Sequence, residues 1–311
     1  MERILISGGG GYIGSRLVPE LLRQKYKVTV LDNFMYGQNS LLDCCDNKNF
    51  EVIRGDCRDE KILEKAMDGM DIIIPLAAIV GFPAADADTT ATISTNLEAI
   101  KTILKFRDKK QKILMPNTNS GYGIGQKDKF CTEETPLNPV SLYGRTKCES
   151  ERNILESGNA ISFRLATVFG ASNRMRTDLL VNDFVYRAIN DSAVVVFGGH
   201  ATRNYIHILD VVDTFIYGIR NWESMKDNVY NVGLSSANLS KLELCEKIKK
   251  HLPKFVYMEA EIGEDPDKRD YLISNAKLEN KGWCARRSID DGIKELIKVY
   301  QIIKNNKYGN V

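Results

Sequence analysis

The sequence predicts an α/β fold: a doubly wound parallel sheet with a smaller, interleaved C-terminal α/β lobe. Three observations carry this reading. Strand-like apolar runs alternate with helix-like stretches through the first half of the 311 residues, the pattern of a parallel sheet covered on both faces. A glycine run joins the first strand directly to the first helix. After Val168 the alternation loosens, which marks a second lobe.

The elements follow in order. Arg3–Ser7 reads as a strand and Tyr12–Gln24 as a helix. Lys27–Asp32, rich in β-branched residues, is the second strand. Phe50–Arg54 and Asp71–Leu76 are two more, and Glu60–Met67 between them places Ile62, Leu63 and Ala66 at helical spacing. Asp86–Phe106 reads as one long helix. Lys112–Pro116 is a fifth strand, Leu142–Ser157 a helix and Ala160–Leu165 a sixth strand. In the second lobe Asp178–Asn190, Asp210–Arg220, Leu239–His251 and Ile289–Ile303 have helical patterns. Ala193–Phe197 and Arg203–His207 read as short strands. The expected division is residues 1–170, with a returning segment at about 203–235, and an interleaved lobe over 171–311.

Composition excludes whole classes. Hydrophobic residues are 43% and charged residues 27%, as in globular chains. The net charge of +2, from 43 basic and 41 acidic residues, gives no broad pull toward nucleic acid or an anionic membrane. No apolar run reaches the roughly 20 residues that span a bilayer, and Met1-Glu2-Arg3 opens no cleavable signal pattern. The 7 cysteines include no CxxC pair and the chain has only 3 histidines. We therefore expect reduced thiols in a cytoplasmic protein, no disulfide scaffold and no metal site.

The glycine run is the first functional signal. Gly8 allows a tight turn out of the strand, Gly11 lets a pyrophosphate approach the backbone, and Gly14 lets the helix pack close to the sheet. The helix then offers N–H groups and a positive dipole end to an anion. Strand, glycine turn and helix in this order define a Rossmann-type dinucleotide site. Asp32, with Asn33 beside it, ends the second strand where a carboxylate accepts from adenosine ribose hydroxyls and repels a 2′-phosphate. The expected cofactor is NAD.

The second signal is Tyr143-Gly-Arg-Thr-Lys147, opening a helix. Residues at this spacing share a helix face. An ammonium beside a phenol favours the phenolate. Tyr143 could then take a hydroxyl proton as a hydride leaves the same carbon, and Lys147 would reach the nicotinamide ribose. A solvated surface pair is the ordinary reading of such spacing in isolation.

The pair does not stand in isolation. With the surrounding motifs it resembles the extended short-chain dehydrogenase/reductase family of nucleotide-sugar enzymes, across essentially the whole chain. Gly8-Gly9-Gly10-Gly11-Tyr12-Ile13-Gly14 is similar to that family's glycine loop. The resemblance implies that Asp56 and Cys57, in Gly55–Asp59, hold the adenine, and that Leu76, Ala77 and Ala78 line the cofactor. Asn96 matches a mid-helix asparagine. Thr118, in Thr118–Gly123, would donate to the reacting sugar oxygen, completing a triad with Tyr143 and Lys147. Arg164–Gly170, with Ala166, Thr167 and Val168, resembles the segment lining nicotinamide and substrate. Arg203 and, in Asp267-Lys-Arg269-Asp270, Arg269 match arginines that face the nucleotide diphosphate. Arg174, Arg176 and Asn182 are further substrate candidates, since bidentate guanidinium groups suit a diphosphate.

Departures narrow the chemistry. Pro75 stands for a histidine and Asn204 for an aspartate, neither a proton-transfer group. Family dehydratases carry an acidic pair where this chain has Asn119-Ser120; decarboxylases carry glutamate at the place of Ser120 and one class of 3,5-epimerases carries cysteine there. The resemblance therefore implies oxidation of a sugar hydroxyl, at C4. The strings Pro116–Gly125, Arg174–Asp183 and Gly263–Leu272 look like a subgroup that oxidises C4 of GDP-linked heptoses for capsule polysaccharides. Two other readings stand beside it: a 4-epimerase acting on UDP- or GDP-hexose that returns the hydride, and a non-catalytic NAD-binding regulator on the same fold. By analogy a homodimer forms through residues 86–106 and 142–157.

Overall fold

The computed structural model describes residues 1–126, 128–263 and 269–304. Asp267 and Lys268 of the late substrate motif, and the lobe beyond residue 304, lie outside the described residues. The described residues form fourteen strands: β1 (Arg3–Ser7), β2 (Lys27–Asp32), β3 (Phe50–Arg54), β4 (Ile72–Pro75), β5 (Lys112–Thr118), β6 (Phe130–Cys131), β7 (Ala160–Leu165), β8 (Thr167–Phe169), β9 (Ala193–Val196), β10 (Thr202–His207), β11 (Asn228–Val232), β12 (Asn238–Ser240), β13 (Val256–Glu259) and β14 (Leu272–Ile273). The helices are α1 (Gly14–Arg23), α2 (Glu60–Met67), α3 (Phe82–Ala87), α4 (Thr89–Ile93), α5 (Ala99–Phe106), α6 (Leu142–Glu156), α7 (Leu180–Asn190), α8 (Ile208–Arg220), α9 (Trp222–Met225), α10 (Lys241–His251), α11 (Ala276–Glu279) and α12 (Ile289–Ile302).

Seven strands form one parallel sheet in the order β11-β7-β5-β4-β1-β2-β3. β7 is buried along its whole length, which explains why it reads as a continuous run rather than an alternating one. α1 and α8 bury Leu17, Leu21, Phe215 and Ile219 on one face of the sheet. α2 and α5 bury Leu63, Ile100 and Ile103 on the other. The second lobe has its own core, in which Phe184, Leu244, Ile293 and Leu296 meet. The strand order reverses direction between β1 and β4, so a crevice opens beyond their carboxyl ends.

The stretch expected as one helix over Asp86–Phe106 is interrupted. Asp88, at φ −137° and ψ 89°, ends α3 and caps α4, accepting from the Ala91 N–H at 2.8 Å. Residues 94–98 then form a π turn. The Asn96 amide is tied to both N–H and C=O of Ile79 at 2.8 and 2.9 Å, and Ser150 donates to the Asn96 carbonyl at 2.7 Å. These tertiary bonds favour the wider turn, a distortion concentrated at functional sites. The seventh strand, β11, was not expected as a strand. It is a short edge element in which Asn residues break the apolar run. Among the described residues no helix is long and apolar enough to cross a membrane.

Candidate active site

One cavity runs from the glycine turn to the first turn of α6. Gly8 leaves β1 at φ +75°, and a Cβ there would stand 2.5 Å from the Ala77 nitrogen. A Cβ on Gly14 would stand 2.4 Å from the Gly9 carbonyl oxygen. Only glycine lets the β1 and β4 ends and the start of α1 close to this distance, which leaves backbone lining the floor. Gly8, Gly11, Tyr12, Ile13 and Gly14 all line it, as do Asp32, Asn33, Asp56, Cys57, Leu76, Ala77, Ala78, Ala166 and Val168. Asp32 Oδ2 accepts from the Gly10 N–H at 2.8 Å and Oδ1 from Phe34 at 2.7 Å, so the carboxylate is held in place at the cavity wall. Each oxygen retains a lone pair for a ribose hydroxyl. Burial pushes the Cys57 thiol up to about 12, so it acts as an inert wall. A bare-backbone floor at a helix start, closed by a fixed carboxylate, fits a dinucleotide.

At the far end stand Thr118, Ser120, Tyr143 and Lys147, with Thr167 in the same wall. β5 delivers Thr118, whose Oγ1 donates to Ser120 Oγ at 2.9 Å and accepts from the Ser120 N–H at 3.1 Å. Ser141 caps α6, accepting from Gly144 at 3.1 Å, and so fixes the helix turn that carries Tyr143. Arg269 crosses from the second lobe and donates through NH1 to Ser120 Oγ.

The spacing leads to the expectation that Lys147 acidifies Tyr143. The structure reverses that direction. Burial pushes the Tyr143 phenol above its ordinary value; Arg269, then the Thr118 hydrogen bond, then Arg176 oppose the rise. The cations that favour the phenolate in the protein itself are thus arginines of the second lobe. Burial also lowers Lys147 to about 8, with Glu151, one turn along α6, opposing the fall.

The lysine therefore carries a stability cost. Its folded pKa lies below its unfolded value, so the penalty is complete below pH 8 and is relieved as pH rises toward 10.5. Lys147→Met should stabilise the protein at pH 7, by up to about 3 kcal/mol, and the gain should shrink in alkali while activity is lost. Urea denaturation at two pH values measures this; destabilisation at pH 7 would refute the assigned cost.

Four candidates stand behind the wall rather than in it. Asn96 fixes the loop after β4, as above. Asn182 accepts from the Gly170 N–H at 3.0 Å and donates to the Arg176 carbonyl at 2.8 Å. Asn119 is buried beneath the Thr118 turn. Arg203 donates to the Thr202 carbonyl at 3.0 Å and lies 5.7 Å from the Tyr271 ring centroid. Arg174 does line the cavity, but near Asp32 and Tyr36 at its glycine end. Sequence reasoning missed Phe34, Tyr36, Thr95, Ser141 and Tyr271, which also line it. Only Ser141 carried a signal, as a capping serine before a helix.

The fold and cavity define a class: a dinucleotide-dependent enzyme with a Tyr/Lys pair at the reactive end. The chain matches the model of the NAD dependent epimerase/dehydratase family over residues 4–233, and it belongs to that family. NAD is its cofactor. It is 27% identical to the low-salt glycan biosynthesis protein Agl12 of Haloferax volcanii, over 96% of this chain and 98% of that one. It is 27% identical to UDP-glucuronic acid decarboxylase 1 of Arabidopsis thaliana, over 96% of this chain and 70% of that one. The fold matches UDP-glucuronic acid 4-epimerase from Bacillus cereus, a complex with UDP-glucuronic acid and NAD, at a TM-score of 0.85 and 22% identity, covering 97% and 100% of the two chains.

Proposed function

We propose that the protein oxidises the C4 hydroxyl of a nucleotide sugar. The observation that carries this is the convergence of Tyr143, Lys147 and Thr118 on one cavity wall with no carboxylate following Thr118. Bound NAD supplies a hydride acceptor. Thr118 orients the sugar hydroxyl, already polarised by its bond to Ser120. Tyr143 takes the hydroxyl proton as general base. Lys147 and Arg269 hold positive charge beside the phenolate as it forms. Elimination or decarboxylation needs a further acid or base, and Asn119 and Ser120 offer neither.

The substrate reading is a GDP-linked heptose on the way to a capsule polysaccharide, and the likeness of Pro116–Gly125 and Arg174–Asp183 to that subgroup supports it. The second reading is a 4-epimerase on the same residues, favoured by the 4-epimerase among similar folds. Incubation with NAD and GDP-heptose, GDP-hexose or UDP-hexose, read by NMR, separates them. A 4-keto sugar with NADH supports the dehydrogenase; a C4-inverted sugar without NADH supports the epimerase. A 4-keto-6-deoxy product overturns both. Dimerisation through α4, α5 and α6 belongs to the same proposal, and sedimentation at micromolar concentration tests it.

A further inference from the structure

We propose that Glu295, on the last helix of the second lobe, is a positioning residue for NAD: acting through residues 170–172, it holds the Tyr12–Ile13 peptide of the glycine turn in place for the dinucleotide. This rests on reading the glycine end of the cavity as the NAD site.

Glu295 uses both of its carboxylate oxygens. Oε2 lies 2.6 Å from His207 Nε2, and Oε1 accepts from the Ala171 N–H at 3.1 Å. His207 Nδ1 accepts from the Leu209 N–H at 3.3 Å, at the start of α8. The proton therefore sits on Nε2, which donates to the carboxylate. His207 is buried, and Gly170 packs directly on its ring: a Cβ on that glycine would stand 2.6 Å from Nε2.

The peptide between Gly170 and Ala171 is gripped from both sides. Glu295 takes its N–H, and the Tyr12 hydroxyl donates to its oxygen at 2.7 Å. A trans peptide is planar, so the first contact sets the direction of the second. Ser172, the next residue, donates to the Tyr12 carbonyl at 2.7 Å, and its Oγ lies 2.7 Å from that of Ser15. Tyr12 is thus held at its side chain by Gly170 and at its backbone by Ser172. The same planarity applies to the Tyr12–Ile13 peptide: with the Tyr12 carbonyl fixed, the Ile13 N–H is aimed. α1 carries no side-chain cap, so N–H groups at its start are left for an anion. Tyr12, Ile13 and Gly14 all line the cavity. Glu295 does not line it, and reaches the cofactor only through this chain of bonds.

Calorimetry of NAD, GDP and UDP binding to Glu295→Gln, Ser172→Ala and the double variant tests the proposal. Glutamine offers one acceptor oxygen where two are used. The Glu295 side chain is 32% exposed, so the substitution leaves the core intact. Each single variant should weaken NAD binding by about tenfold and leave GDP and UDP affinity unchanged. Because both act on one short segment, the double variant should fall well short of the roughly hundredfold loss that independent sites would give. Wild-type NAD affinity in Glu295→Gln, even with a lowered melting temperature, would make the carboxylate a structural brace and overturn the proposal. Multiplied effects in the double variant would overturn it too, as would an equal loss of GDP and UDP affinity. Should Glu295→Gln not fold, Glu295→Asp, which keeps the charge one methylene short, is read by the same criteria. A wild-type protein that binds no NAD would defeat the cofactor reading itself, and this proposal with it.

Discussion

Tyr143→Phe is expected to lower turnover by about 10²–10⁴-fold while NAD affinity stays within about twofold. The substitution removes one oxygen and leaves the ring that packs at the start of α6. What is lost is the proton acceptor beside Thr118. Because burial raises the phenol and arginines oppose that rise, the rate should climb with pH into the alkaline range. Arg269→Met should move that limb to still higher pH, since Arg269 is the largest influence favouring the phenolate. Single-turnover rates across pH measure both. A Phe variant at wild-type rate would remove Tyr143 from the chemistry. An Arg269 variant with an unmoved limb would remove the arginine from its electrostatic role.

Glu151→Ala should be the most destabilising single change near the site, at about 3–5 kcal/mol. Glu151 lies on α6 one turn past Lys147 and is 3% exposed. Its oxygens accept from Arg164 NH2 at 2.7 Å, Ser162 Oγ at 2.6 Å and Asn117 Nδ2 at 2.6 Å. Arg164 in turn donates to Tyr122 at 2.8 Å, and Tyr122 to Asn231 on β11 at 2.7 Å. One carboxylate therefore ties α6, β5 and β7 together, and its loss leaves the Arg164 charge buried and uncompensated. Removal also takes away the carboxylate of Glu151 that holds the Lys147 pKa up, so activity at neutral pH should fall beyond the loss of folded protein. Urea unfolding with a parallel pH–rate profile tests both; a change under about 1 kcal/mol would mean that water reaches Arg164 and compensates it.

Much of the site was legible because its logic is local. The glycine turn sits between a strand and a helix that are contiguous in sequence, and Gly14 answers to the close approach of Gly9 within the turn, whereas Gly8 answers to Ala77 at the end of β4. Tyr143 and Lys147 share a face by helical period alone. The family resemblance then placed Thr118, Asp56 and the Leu76–Ala78 segment, all of which line the cavity. The long helix was misread for the opposite reason. Nothing between Asp86 and Phe106 announces a break by Gly or Pro, and the π turn exists because Asn96 is bound to Ile79, 17 residues away. Arg203 and Asn182, read from the sequence as substrate contacts, are buried and do not line the cavity among the described residues, and Asn182 accepts from the Gly170 N–H.

The chain by itself determined the parallel sheet, the NAD cradle and the Tyr/Lys pair, because period and steric demand act between residues close in sequence. Tertiary structure alone decided which charges face the chemistry: Arg269 meets Ser120 across 149 residues, and Arg174 lies against Tyr36 from the other lobe. Charge on a long side chain has no direction until the core beneath it has packed, and that packing sets which way the phenol's acidity moves.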